Sequence, residues 1–584
     1  MASPSAPRPT TLTDRLTARV TRDHAFIGVV VAVWALLYVR GFGDVGSLGH
    51  LPVRVWDETR YAMPAQLMAD GGSWLTPHIR VKTHSNDLGY ARRLVKPPLV
   101  YWLQATSMEL FGVSAFAARV PTALSSLGCA GVVYGIGRHV YDRRAGLAGA
   151  LFLLTFPGLL LGSHGGRAAV SDTTLALFGS LFVWLTWRGR ENPKLLVPAG
   201  VFAGLAVMTK GVAAGVFVII LLPVVLRSVR SYLTGWTAAA VASTAAVALP
   251  WHLWASLEHG NEFVRAYFVT SVASRVQGQA TEPPAEPIFG FMNYPYFRYA
   301  LELFLPPYPY ALPVFGTGIV CALAFVWWRT RRDGVADHWD EVLLVWWLLA
   351  VPLTFALGGG NHAWYLLPMY VPGSVLLGLV PAALADGTFG AAVDDALART
   401  PFRSLAARGR RLRGRFPTAA GLRARLGRRG RAAVYPAVVL VLALSLVATY
   451  GAPLAEPYNE EQREIGTALA GEVPDGETVY VWLDGNLTTR SLMTLSFYAD
   501  RPLENVSAER LRTDTRVRYG IVPDGRADEL DRAHRVFARG PQNNMTVVVF
   551  EDGTGSGALS AHSPGRNVDR TPAFAAGAAT LADP

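Results

Sequence analysis

The chain has 584 residues, of which 51% are hydrophobic and only 17% charged. A soluble domain carries about 25% charged residues, so this balance excludes a disordered chain and argues against an ordinary soluble enzyme. The net charge of +11, from 54 Lys and Arg against 43 Asp and Glu, suits anionic lipid or nucleic acid as a partner. The two cysteines, Cys129 and Cys321, lie inside apolar runs, with no disulfide framework and no thiolate metal site.

A polar, Arg-containing segment, 1–24, precedes a first apolar run from Ala25 to Phe42. No small-residue cleavage site follows it, so it reads as an uncleaved anchor. Further runs long enough to cross a membrane lie near 115–137, 145–162, 169–187, 195–209, 211–226, 233–251, 310–328, 342–357, 363–384 and 433–450. That makes about eleven crossings, with up to thirteen allowed. The segment Leu99–Phe111 is too short and too polar to cross and reads as an interfacial helix.

Basic residues flank these runs at Arg15, Arg19 and Arg22, at Arg138, Arg143 and Arg144, at Arg188, Arg190 and Lys194, at Arg227 and Arg230, at Arg329, Arg331 and Arg332, and from Arg399 to Arg431. Positive residues mark the cytoplasmic side. Eleven crossings put all these connections in the cytoplasm and the C-terminus outside. The expected organisation is a cytoplasmic start (1–24), a membrane module (25–385) with outer loops at 43–98 and 252–309, an Arg-rich cytoplasmic loop (386–432) and a last crossing (433–450). An extracytoplasmic domain (453–550) and a disordered tail (551–584) follow. Only Phe402 and Phe416 interleave the Arg-rich loop. It therefore reads as a topology signal touching anionic lipid, and no nucleic-acid partner is expected.

In the outer C-terminal segment, 478–482, 518–522 and 545–550 read as strands. Glu460–Leu469 and Ala527–Arg535 read as amphipathic helices, so a small α/β domain is expected. Asn486-Leu487-Thr488, Asn505-Val506-Ser507 and Asn544-Met545-Thr546 are acceptor-type sequons, a common tripeptide by chance.

With this topology the polar residues able to do chemistry gather on the outer side. The first outer loop contains Trp56-Asp57-Glu58-Thr59-Arg60-Tyr61. Adjacent carboxylates near hydrocarbon are costly and mark function; Asp57 also suits the N-cap of a helix starting near Glu58. Lys96 precedes Pro97-Pro98 and suits either interfacial snorkelling or a phosphate contact. Arg167 and Asp172 flank the mouth of one crossing, Lys210 lies in the break Thr209-Lys210-Gly211, Arg275 is an outer cation, and Tyr365 precedes Leu366-Leu367-Pro368. Several cations and two or three carboxylates on one face suit a lipid phosphate and a general base that activates a hydroxyl. No phosphate-binding P-loop, dinucleotide fingerprint, HExxH or Cys/His cluster is present.

In family order, Asp57-Glu58-Thr59-Arg60-Tyr61-Ala62, Lys96-Pro97, Arg167 with Asp172, Thr209-Lys210-Gly211, Pro250-Trp251 and Tyr365-Leu366-Leu367-Pro368 resemble the polyprenyl-phosphate-sugar-dependent glycosyltransferases of the GT-C fold. The group is that of the aminoarabinose (lipid A) transferases and protein O-mannosyltransferases, and the resemblance runs from about residue 25 to 380. It implies an all-α polytopic membrane module and an inverting glycosyltransferase at the outer face of the plasma membrane. A sugar would pass from a polyprenyl phosphate to a hydroxyl or phosphate of an envelope lipid, glycan or protein. Asp57, Glu58 and Asp172 match the acidic catalytic positions. Arg60, Lys96, Lys210, Arg275 and Tyr365 match the donor-phosphate pocket, and Tyr61, Arg167, Asn361 and His362 are substrate-pocket candidates. Relatives carry Glu before the Lys-Pro lysine, a Glu-His pair before the later arginine and Lys ahead of the tyrosine. Here these places hold Val95, Ser271-Val272 and Asn361. The first two changes remove the family's metal ligands, so no metal and no other cofactor is expected. Two rival readings remain: a polyprenyl-lipid transporter or flippase, and a noncatalytic envelope assembly protein.

Overall fold

In the computed structural model the described residues are 24–41, 46–54, 57–82, 87–273, 287–288, 292–293, 315–356, 362–398, the positions 435, 437, 439–441 and 445, and 458–551. Arg275, Asn361, most of the last expected crossing and the tail lie outside them. The chain forms two units.

The first unit, 1–53, 60–78 and 92–455, is helical. Among the described residues, five helical stretches are long and apolar enough to cross a membrane: Ala115–Val140, Pro193–Arg227, Gly235–Val269, Trp339–Ala356 and Ala363–Asp386. Shorter apolar helices at His24–Arg40, Arg143–Thr155 and Asp172–Arg188 match further expected runs. Leu99–Phe111 is a helix with the expected bounds.

Polar residues set the boundaries. Ser114 accepts from the Ala117 amide ahead of the Ala115–Val140 helix, and Asp142 accepts from Arg144 and Ala145 ahead of the next. Small residues let the helices approach closely. A Cβ on Gly137 would sit 2.8 Å from the Gly146 Cα, and one on Gly378 would sit 2.4 Å from the Ala145 carbonyl. Lipid offers no hydrophobic drive for helix association, so close backbone packing supplies it. Gly378→Val forces backbone against backbone and should destabilise the protein by about 1–3 kcal/mol. A melting temperature in detergent equal to wild type would contradict this packing.

The second unit collects 54–59, 79–91 and 456–584. Its sheet runs Leu503–Asn505, Val479–Val481, Tyr519–Pro523, Met545–Phe550, His534–Gly540 in space. The first three strands are parallel and the last two pair antiparallel. Every residue of Met545–Phe550 is buried, as a central strand covered on both faces requires. The Tyr458–Glu472 helix packs on Met493–Ala499. Arg501 donates to the carbonyls of Ala470 and Val473 at 2.9 and 2.8 Å, closing the end of the first of these helices. Arg80 pairs with Asp500 at 2.5 Å, within the same unit. One expectation is corrected here. Ala527–Arg535 is not a helix: a single 3-10 turn, Ala527–Glu529, leads into the strand His534–Gly540. Cross-strand pairing with Met545–Phe550 outweighs a short amphipathic pattern.

Candidate active site

The centre of the first unit is a buried ion pair between helix ends. Asp172 stands in the first turn of Asp172–Arg188, and Lys210 is the last residue of Leu196–Lys210. A helix start favours an anion and a helix end a cation, so each charge sits where its own helix stabilises it. Gly211, at φ +61° and ψ −131°, ends the helix in a conformation only glycine takes without strain. The side chains of Lys210 and Asp172 are 7% and 4% exposed, and Lys210 donates to Asp172 Oδ1. The other oxygen, Oδ2, accepts from His164 Nδ1 at 3.0 Å. The Lys210 ammonium also lies 4.8 Å from the Tyr365 ring centroid, a cation–π distance.

A second chain of contacts adjoins this pair through Ser171. Lys96 Nζ donates to the Tyr61 hydroxyl at 2.5 Å, and that hydroxyl lies 2.7 Å from Ser171 Oγ. Tyr61 packs on Tyr101 with centroids 5.5 Å apart, and Arg93 donates to the Tyr101 hydroxyl at 3.2 Å. Burial, reinforced by the nearby charge of Lys210, brings the Lys96 ammonium down to about 7. Burial pushes the Tyr61 phenol up to about 12, so it stays protonated and can relay a hydrogen bond.

Of the residues singled out from sequence, Tyr61, Lys96, Asp172, Lys210 and Tyr365 therefore form one connected set. His362 joins at its edge, 5.3 Å from the Tyr365 ring. Arg167 is placed differently: it donates to the carbonyls of Leu37 and Gly46 at 2.7 and 2.8 Å, tying the end of the His24–Arg40 helix to the chain beyond it. Arg60 is half-buried in the first turn of the Asp57–Ala69 helix. In the second unit, that helix begins at Asp57 itself, not at Glu58. Glu58 is buried and accepts from the Arg54 amide at 2.7 Å, bracing the helix entry.

Sequence reasoning missed Ser171, His164, Trp364 and Tyr101. It also missed Arg119, a buried arginine that donates to the carbonyls of Leu48, Leu51 and Pro52 and holds the chain ahead of Asp57. Arg119 had a signal, since a lone arginine in an apolar run is rarely idle. Among the described residues no group of three or more His, Cys, Asp or Glu is arranged to hold a metal ion.

Beside the ion pair lies a cavity of about 770 Å³. Its walls are apolar side chains such as Phe182, Val218, Leu222 and Val241, and Gly211, His252 and Tyr267 line it as well.

Residues 95–254 match the family described as dolichyl-phosphate-mannose-protein mannosyltransferase. Over 363 residues the chain is 30% identical to an undecaprenyl phosphate-alpha-4-amino-4-deoxy-L-arabinose arabinosyl transferase of Pseudomonas fluorescens, covering 60% of this chain and 56% of the relative. A relative from Pseudomonas aeruginosa with the same activity in its name is 27% identical, over 59% of each chain. The ArnT crystal structure from Cupriavidus metallidurans in the apo state superposes with a TM-score of 0.62 at 18% identity, over 91% of this chain and 98% of that one. The chain is related in sequence and fold to the aminoarabinose transferases. The GT-C fold expected from the motifs is thus present, in a mostly helical membrane protein. In sequence the chain spans a little under three fifths of the curated relatives it matches, at 56% and 59%.

Proposed function

We propose that this chain is an inverting membrane glycosyltransferase that takes a sugar from a polyprenyl-phosphate carrier. The observation that carries this reading is the buried Lys210 and the half-buried Lys96, linked through Tyr61, Ser171 and Asp172 beside a large apolar cavity. A lipid chain in that cavity brings its phosphate past Gly211 to Lys210. The cavity is apolar because a hydrocarbon tail needs no polar partner.

In the reaction an acceptor hydroxyl or phosphate oxygen attacks the anomeric carbon from the face opposite the phosphate. The new C–O bond forms as the bond from the anomeric carbon to the phosphate oxygen breaks. Polyprenyl phosphate departs with the electron pair, and a hydroxyl acceptor yields its proton to Asp57. Lys96 and Lys210, with Arg60 and Arg275, offset the charge that grows on the leaving phosphate. Asp57 is assigned on the family resemblance alone. Glu58 braces the loop. Eleven crossings, a cytoplasmic N-terminus and an extracytoplasmic α/β domain complete the reading, supported by the distribution of basic residues. The transporter reading is disfavoured, because the polar residues are held in two adjoining hydrogen-bonded chains with no counterpart repeated elsewhere in the sequence.

The test is release of polyprenyl phosphate by the purified protein given a lipid-linked sugar and an envelope extract as acceptor. No release, with donor carried intact across a vesicle membrane, would favour transport instead. A lysine near pH 7 adds a sharper expectation. The donor phosphodiester keeps one negative charge from about pH 6 to pH 8, while Lys96 loses its charge through about 7. Donor KM should therefore rise severalfold on going from pH 6 to pH 8. Lys96→Arg, always charged, should flatten that rise. A wild-type KM independent of pH would remove Lys96 from the phosphate contacts.

A further inference from the structure

We propose that His164 is a positioning residue of the donor-phosphate centre, acting through Asp172 and Trp364 to hold the Lys210 ammonium in place. This rests on the reading of the site as one that binds a polyprenyl phosphate.

The contacts form a closed circuit. His164 Nδ1 donates to Asp172 Oδ2, and Asp172 Oδ1 accepts from Lys210. The Lys210 ammonium lies over the Tyr365 ring. Tyr365 follows Trp364 on the 3-10 helix Ala363–Met369. The Trp364 ring returns to His164, stacked at 3.9 Å between centroids with only 2° between the planes. Trp364 also stacks on His362, at 4.5 Å and 8°, and meets the Tyr365 ring edge-on at 6.4 Å and 89°, so the indole stacks on two imidazoles. Three segments distant in sequence meet in this ring of contacts, and each link limits the freedom of the next.

The circuit also assigns Asp172 a role. Its carboxylate is 4% exposed, and each oxygen already accepts a hydrogen bond from a neighbour. An acceptor hydroxyl has no open approach to it. Asp172 is then the pivot that orients Lys210, and proton removal is left to Asp57. His164 matters because it holds the second carboxylate oxygen and, through its ring face, the strip that carries Tyr365. A hydrogen bond to a charged group is strong enough that its loss changes a binding constant by about tenfold or more.

Two variants separate the hydrogen bond from the stack. His164→Phe keeps an aromatic face for Trp364 and removes the donor to Asp172. It should raise donor KM about tenfold with kcat nearly unchanged. It should also weaken binding of undecaprenyl phosphate alone, read by native mass spectrometry of the full-length protein in detergent. His164→Asn supplies an amide donor close to the Nδ1 position and should recover most of the lost affinity. Melting temperatures of both variants serve as folding controls. Wild-type donor KM in a folded His164→Phe overturns the proposal, and so does a fall in kcat at unchanged KM. If His164→Phe does not fold, a folded His164→Asn that binds undecaprenyl phosphate as weakly as Lys210→Ala overturns it as well. Failure of the wild-type protein to bind undecaprenyl phosphate, or to release it from a lipid-linked sugar, would instead bring down the function on which this rests.

Discussion

Asp57→Asn should abolish sugar transfer while leaving donor binding close to wild type. Asparagine has the same shape as aspartate but cannot take a proton from an attacking hydroxyl. A positioned general base contributes about 10²–10⁴-fold to the rate, so residual turnover near the lower detection limit is expected. Donor affinity should hold, because the phosphate contacts assigned above belong to lysines and arginines. Single-turnover transfer and undecaprenyl phosphate binding, measured on the same preparation, decide the matter. Turnover within a few-fold of wild type would refute Asp57 as the base. Loss of both transfer and donor binding would show that Asp57 supports the pocket instead.

The second large effect concerns stability. Asp172→Ala leaves the Lys210 ammonium, whose side chain is 7% exposed, without its carboxylate. Removing one member of a buried ion pair costs about 3–5 kcal/mol, whereas replacing both by apolar groups of similar size is often neutral. The single variant should therefore melt well below wild type. The double variant Asp172→Leu with Lys210→Met should recover much of that loss and still fail to bind undecaprenyl phosphate. This split separates the two uses of the pair. Stability needs only that no lone charge be buried there, while function needs the cation itself. Equal melting temperatures for Asp172→Ala and wild type would show that solvent reaches the site and relieves the charge.

The two effects rest on different kinds of evidence. Asp57 is carried by a motif. Asp172 is carried by distances, and these shift its role from proton acceptor to pivot. Arg167 makes a similar point. By sequence it stood beside Asp172 as a pocket cation, yet its guanidinium binds the backbone at Leu37 and Gly46. An arginine's five donors satisfy loop carbonyls as readily as a ligand, and nothing local distinguishes the two uses.

By itself the sequence determined the apolar helices, their basic flanks, the helix Leu99–Phe111 and five residues that the structure joins in one set: Tyr61, Lys96, Asp172, Lys210 and Tyr365. These are legible because hydrophobic length and charge bias act locally, and because motif order survives divergence. Only the tertiary structure decided that Lys96 meets Ser171 through Tyr61, and that His164 and His362 enclose Trp364. It alone showed that Ala527–Arg535 gives way to a strand. Such contacts join residues far apart in the chain, and their free energy exists only once the helices and strands have packed, so no local pattern of residues encodes them.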